Sequence, residues 1–171
     1  MDTIELTKLH EDGTSARAIF SRDMQYRYYL SRIWDTKRKP LVGILPNPST
    51  GDHISLETTT KGFQTRAKSW ECGGIVVLNL FAYISTDPTK LRHVADPVGP
   101  LNDAFLLSLN DKCDEVVCAW GNQGALHNRA QKVLNLLKMP LYTFGLTKSD
   151  QPRHPLHMSY QIKPTLFRNC S

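Results

Sequence analysis

Apolar and polar positions along the chain follow two periods. Five short runs are apolar and rich in β-branched residues: ARAIF (16–20), LVGIL (41–45), IVVLNLFA (75–82), EVVCAWG (115–121) and LYTFGL (141–146). Runs of this length and composition predict buried strands. Between them the spacing turns helical. Ser21 is placed to cap a helix over 22–34, with Met24, Tyr28 and Ile33 on related faces and Trp34 near its end. A short helix is expected near 63–71 and another over 101–110, capped by Asn102 or Asp103. Residues 125–138 form the clearest amphipathic pattern, with Leu126, Ala130, Val133, Leu134 and Leu137 on one side. Pro40 and Pro140 break the chain before two of the strands, and 85–100 reads as a long loop with three prolines.

Strand–helix alternation predicts an α/β fold. The expected form is a three-layer sandwich around a central, mainly parallel, four-stranded sheet, with helices on both faces. The length of 171 residues suits a single domain over 1–171. In such a sheet a site lies beyond the carboxyl ends of the strands. Four polar or turn-rich segments follow those ends: PNPST (46–50), Asn79, WGNQG (120–124) and the loop holding PRHPLHMS (152–159).

Charge sharpens this picture. Residues 1–115 carry 14 Lys/Arg against 15 Asp/Glu, a balance of −1. Residues 116–171 carry 7 Lys/Arg against Asp150 alone, a balance of +6. A one-sided basic surface points to a polyanion, most simply nucleic acid. No apolar run approaches the roughly 20 residues of a membrane span, so no membrane partner is expected. The first residues lack a basic-then-apolar signal pattern, which predicts a cytoplasmic protein. Cys72, Cys113, Cys118 and Cys170 show no C-x-x-C or Cys/His pairing, so no metal is expected. G-x-G-x-x-G and G-x-x-x-x-G-K-[ST] are both missing, which weakens a nucleotide-cofactor reading.

Individual residues in the four segments have chemistry to offer. Asn47 lies between two prolines, a stiff base for orienting a water, or else a plain strand-ending turn. Asn79 carries a donor and an acceptor that a base edge or the neighbouring backbone can meet. His154 can donate to a developing anion if it faces a pocket. Met158 either packs under its own loop or acts as an apolar wedge in a DNA stack.

The order GILPNPS, VVLN, CAWGNQGA and HPLHMS resembles the uracil-DNA glycosylase superfamily. There one strand ends in Gly-Gln-Asp-Pro-Tyr or Gly-Ile-Asn-Pro, a later one in Leu-Leu-Leu-Asn. A third carries Leu-Trp-Gly, and a loop reads His-Pro-Ser-Pro-Leu-Ser. NPST, NLFA, TDP, DPVGPLND, WG and RHPL also resemble a bacterial and phage domain family of unassigned chemistry, over nearly the whole chain. The first resemblance implies a glycosylase-like fold and roles for matching residues. Asn47 would place the attacking water, Asn79 read the base edge, and His154 support the departing base. Met158 would intercalate, with Arg153 and Ser159 as further DNA contacts.

Departures from the pattern shape the expected chemistry. Asn47 stands where the most active uracil enzymes have a carboxylate, so Asp52 is a second candidate for activating water. Ser49, after Pro48, replaces a tyrosine that crowds the base's 5-position, and so leaves room there. Phe63 is a candidate stacking ring. The resemblance therefore implies a monomeric, cofactor-free, monofunctional DNA glycosylase acting on single- or double-stranded DNA. Its expected substrate is a 5-substituted pyrimidine, such as hydroxymethylated or glucosylated cytosine of phage DNA, and its role antiviral defence. Another nucleotide-processing enzyme, or a non-catalytic DNA-binding protein, remain the alternatives.

Overall fold

In the computed structural model, which describes residues 2–52 and 54–169, strands and helices alternate only after a strand-rich first quarter. The described strands are β1 (Thr3–Leu9), β2 (Ser15–Ser21), β3 (Arg27–Ile33), β4 (Pro40–Leu45), β5 (Gly74–Asn79), β6 (Val116–Cys118), β7 (Leu141–Thr143) and β8 (Thr165–Arg168). The helices are α1 (Thr58–Ser69), α2 (Asn102–Leu107) and α3 (Arg129–Leu136), with 3-10 turns at Pro88–Arg92, Ser108–Asp111 and Gly121–Asn128.

These strands form one mixed sheet of eight, in the order β1-β2-β3-β5-β4-β6-β7-β8. Four pairings are antiparallel (β1·β2, β2·β3, β3·β5, β7·β8) and three are parallel (β5·β4, β4·β6, β6·β7). A four-stranded, mainly parallel sheet is therefore too small a description, since β1–β3 extend one edge and β8 the other.

The largest correction concerns residues 22–34. They make a turn and then β3, not a helix. Ser21 does not cap a helix; its Oγ donates to Asp23 Oδ1 at 2.6 Å and its carbonyl accepts from Met24 N–H. That turn, with Met24 at φ 59°, folds RYYLSRI back onto β2. Aromatic and β-branched residues suit a pleated surface between two strands, and pairing there outweighs a helical spacing. β1 is an edge strand whose Ile4 and Leu6 are half-buried between exposed neighbours. Smaller corrections fall at the helices. α1 starts five residues before the expected helix, and Asn102 is buried inside α2 rather than capping it. α3 begins only at Arg129, because Leu126 and His127 break the helical backbone before it.

The sheet buries both faces. α1 covers one, where Phe63 and Ala67 pack with Leu41, Leu45, Ile75 and Val77. α2 and α3 cover the other, where Leu106, Ala130 and Val133 pack with Val42, Ile44, Val76 and Leu78. Gly43 faces α1, and a Cβ there would overlap the Phe63 ring. Chain direction then sets the site. From β4 the chain passes to β5 on one side, and from β5 it crosses over to β6 on the other side of β4, so the strand order reverses at β4. Ligands bind at the carboxyl edge of such a switch point. No described helix is long and apolar enough to cross a membrane.

Candidate functional site

A cleft of about 470 Å³ opens at that carboxyl edge. Segments following all four parallel strands line it: Pro46, Asn47 and Ser49 after β4, Ser85 and Thr86 after β5, Trp120 to Gln123 after β6, and His154 and Leu156 after β7. Asn47, Ser49 and His154, expected from the sequence, thus share one cavity.

Asn47 is fixed by its own turn. Its Nδ2 donates to the carbonyls of Pro48 at 3.0 Å and Ser85 at 2.9 Å. This ties the β4 and β5 loops together and leaves Oδ1 as the group for a ligand or water. Pro48 is buried, and its carbonyl also accepts from Ser85 N–H, so it supports the wall rather than lining it.

His154 is held by two features. Gly121, at φ 63°, runs close beneath it, where an added Cβ would sit 3.4 Å from the His154 Cβ. The Gly121 N–H donates to Pro152 O at 2.7 Å, which ties the loops after β6 and β7. Only glycine adopts this left-handed backbone freely, which explains the first glycine of WGNQG. His154 Nδ1 accepts from Leu156 N–H at 3.3 Å. Burial, then the nearby Arg66 and His157, push its pKa below the ordinary value. The ring is therefore neutral near pH 7. With Nδ1 accepting, Nε2 carries the hydrogen and is a donor.

Glu57 also lines the cleft, and sequence reasoning missed it. Its carboxylate forms a two-pronged pair with Arg27: Nη2 to Oε1 at 2.9 Å and Nη1 to Oε2 at 3.1 Å. Thr60 Oγ1 donates to Oε1 at 3.1 Å, and Arg27 Nη1 also reaches Gly51 O. Burial raises the Glu57 pKa, but the Arg27 and Thr60 hydrogen bonds and the Arg27 charge outweigh it, and the net shift is downward. Glu57 is thus an ionised carboxylate in the cleft wall. Only the folding of Arg27 from β3 onto the α1 side marks it out; no local motif does.

Other expected residues lie elsewhere. Asp52 is a turn residue whose Oδ1 accepts from Ile54 N–H and Ser55 N–H at 2.7 and 2.8 Å, and it does not line the cleft. Phe63 is fully buried against Gly43, so it is a core ring and not a stacking surface in the cleft. Asn79 is 1% exposed and does not line the cleft; neither end of its amide has a partner among the described residues. Met158 packs inward against the α1-side core, and the exposed apolar side chain of the turn is Leu156. Arg153 and Ser159 are exposed on the same loop.

A family model described as "Protein of unknown function (DUF1643)" matches residues 27–156. The chain belongs to this family. The DUF1643 match opens on Arg27 and closes on Leu156, and every residue lining the cleft falls within it. β1, β2 and β8 lie outside the DUF1643 match. No curated protein matches the chain.

Proposed function

We propose that this protein is a monofunctional DNA glycosylase with a uracil-DNA-glycosylase-like three-layer fold. The observation that carries the reading is His154, a neutral ring presenting an Nε2–H donor in the same cleft as the Asn47 amide. That pairing is what base departure and water addition need. The target nucleotide leaves the stack and enters the cleft, at a cost of a few kcal/mol. As the C1′–N bond breaks, its electron pair goes to the base, and His154 donates to the resulting anion. Positive charge grows on the sugar, and Glu57, rather than Asp52, supplies the opposing negative charge. A low-pKa carboxylate suits that electrostatic role better than proton abstraction. Water held by Asn47 Oδ1 adds to C1′ and loses its proton to solvent, leaving an abasic site.

Ser49 leaves space at the base's 5-position, which favours a 5-substituted pyrimidine such as hydroxymethylated or glucosylated cytosine. Leu156, 45% exposed beside the cleft, is better placed than Met158 to fill the vacated stack. The basic last third of the chain supports DNA as partner, with the protein acting as a cytoplasmic monomer in defence against viral DNA. Asn79 speaks for the alternative of a non-catalytic DNA-binding protein, because its buried amide does not line the cleft and so reads no base edge there.

The test is release of free base from oligonucleotides carrying uracil, thymine, cytosine, 5-hydroxymethylcytosine or its glucosylated form, read by mass spectrometry. Release from a 5-modified substrate, falling about a hundredfold or more in His154→Gln with DNA binding kept, is the expected result. Folded, DNA-binding protein that releases no base from any of them overturns the proposal.

A further inference from the structure

Arg66 carries a charge that no group among the described residues balances. Its side chain is deep under the loop after β7, and the residue is 2% exposed. Nη2 donates to the carbonyls of Pro155, Met158 and Ser159 at 3.2, 2.9 and 3.5 Å. The guanidinium carbon lies 4.7 Å from the centre of the Tyr160 ring and 5.3 Å from that of Phe144. Among the described residues no carboxylate pairs with it. Its Nε–H is buried and has no acceptor among the described residues. Carbonyl dipoles and ring faces soften a buried cation but do not neutralise it, and buried charges are normally paired.

Beside Arg66 is a second cavity, of about 320 Å³, which shares Thr59 and Leu156 with the cleft. Its remaining donors are those an anion would use. Thr58 and Thr59 bring hydroxyls on the first turn of α1, a helix of 12 residues. That turn holds no acidic residue, and Glu57, at the N-cap, makes no side-chain hydrogen bond to its amides because the carboxylate is engaged by Arg27. Free first-turn amides and the helix dipole favour negative charge. His157 and Gly62 complete the wall.

We infer that this second cavity is a phosphate-binding subsite, with Arg66 as its fixed cation. Its ligand is either the phosphodiester next to a nucleotide whose base fills the cleft, or the phosphate of a free nucleotide. That a nucleotide delivers the phosphate rests on the proposed function; the anion site itself does not.

The deciding measurement is an NMR titration of the full native chain at constant ionic strength, following the Arg66 Nε–H and the Thr58 and Thr59 amides. The probes are inorganic phosphate, deoxycytidine 5′-monophosphate and a single-stranded pentanucleotide, with chloride as control. All three resonances should shift saturably with phosphate and not with chloride. Binding about tenfold tighter for the pentanucleotide than for the mononucleotide identifies a diester site, and the reverse a nucleotide site. Resonances that stay still, or that respond equally to chloride, overturn the subsite. The two proposals fail separately. Base release without movement of the Arg66 signal removes the subsite alone. A phosphate-responsive Arg66 in a protein that releases no base removes the glycosylase reading alone.

Discussion

Two buried arginines meet at α1, Arg27 from β3 bonded to its N-cap residue and Arg66 within the helix itself, and their surroundings are opposite. Arg27, 1% exposed, meets the Glu57 carboxylate through two hydrogen bonds, with Thr60 and Gly51 closing the group. Arg66, 2% exposed, meets only backbone carbonyls and two rings among the described residues. The first is a closed charge pair that braces the cleft wall. The second is an open one, with a cavity where its counter-charge would stand. Burial alone therefore does not tell a structural arginine from a ligand-binding one; the inventory of acceptors around it does.

Removing one half of the closed pair should have the largest effect. Arg27→Met leaves Glu57 ionised in a wall where its side chain is only 12% exposed. Unfolding by urea should show a loss of about 3–5 kcal/mol, because the surviving charge is uncompensated. A loss under 1 kcal/mol would mean that water reaches Glu57 freely and that the contrast with Arg66 is false.

Arg66→Met should cost less, about 1–2 kcal/mol, since it removes charge-assisted hydrogen bonds but strands no opposite charge. The loop at 155–159 should become the first site of limited proteolysis, while the melting transition stays cooperative. A loss as large as that of Arg27→Met would show that Arg66 has a hidden partner.

Acid should separate the two regions most gently. The Glu57 pKa is lowered from its ordinary 4.5, so its stabilisation is complete above about that pH and fades as pH falls through the folded value. His154 is lowered from 6.5, so its contribution is likewise complete above 6.5 and lost on acidification through its folded value. Stability followed by urea midpoint from pH 8 to pH 2 should thus decline in two steps, one below pH 6.5 and one below pH 4.5. His154→Gln should remove the upper one and Arg27→Met should weaken the lower one. A flat profile between pH 7 and 5 would mean that the His154 ring is solvated rather than held neutral.

Local pattern made part of this protein readable. Continuous apolar runs at 41–45 and 75–78 are strands because a chain buried on both faces is apolar along its length, as their burial confirms. Asn47, Ser49 and His154 were legible because strand ends in such a sheet converge on one edge. The segment 22–34 misleads because its apolar spacing fits a helix almost as well as a strand, and only the turn at Ser21 and a neighbouring strand decide between them. β8 is short and mostly exposed, so it carries little apolar signal of its own.

Side-chain direction was less legible still. Phe63, Met158 and Asp52 all have the right chemistry and stand near the right segments. Phe63 turns into the space over Gly43, Met158 turns inward beneath its loop, and Asp52 bonds its own turn. Glu57 had no motif to announce it, because its partner Arg27 comes from 30 residues earlier in the chain.

Where the chain must be apolar, where it must turn and which end carries the positive charge were set by neighbouring residues alone. Long-range folding widened the sheet to eight strands, brought Glu57 and not Asp52 to the cleft, and buried Arg66 with no counter-charge among the described residues. Those outcomes depend on which distant groups meet, and a buried charge acquires its meaning only from the partners that folding brings to it or withholds.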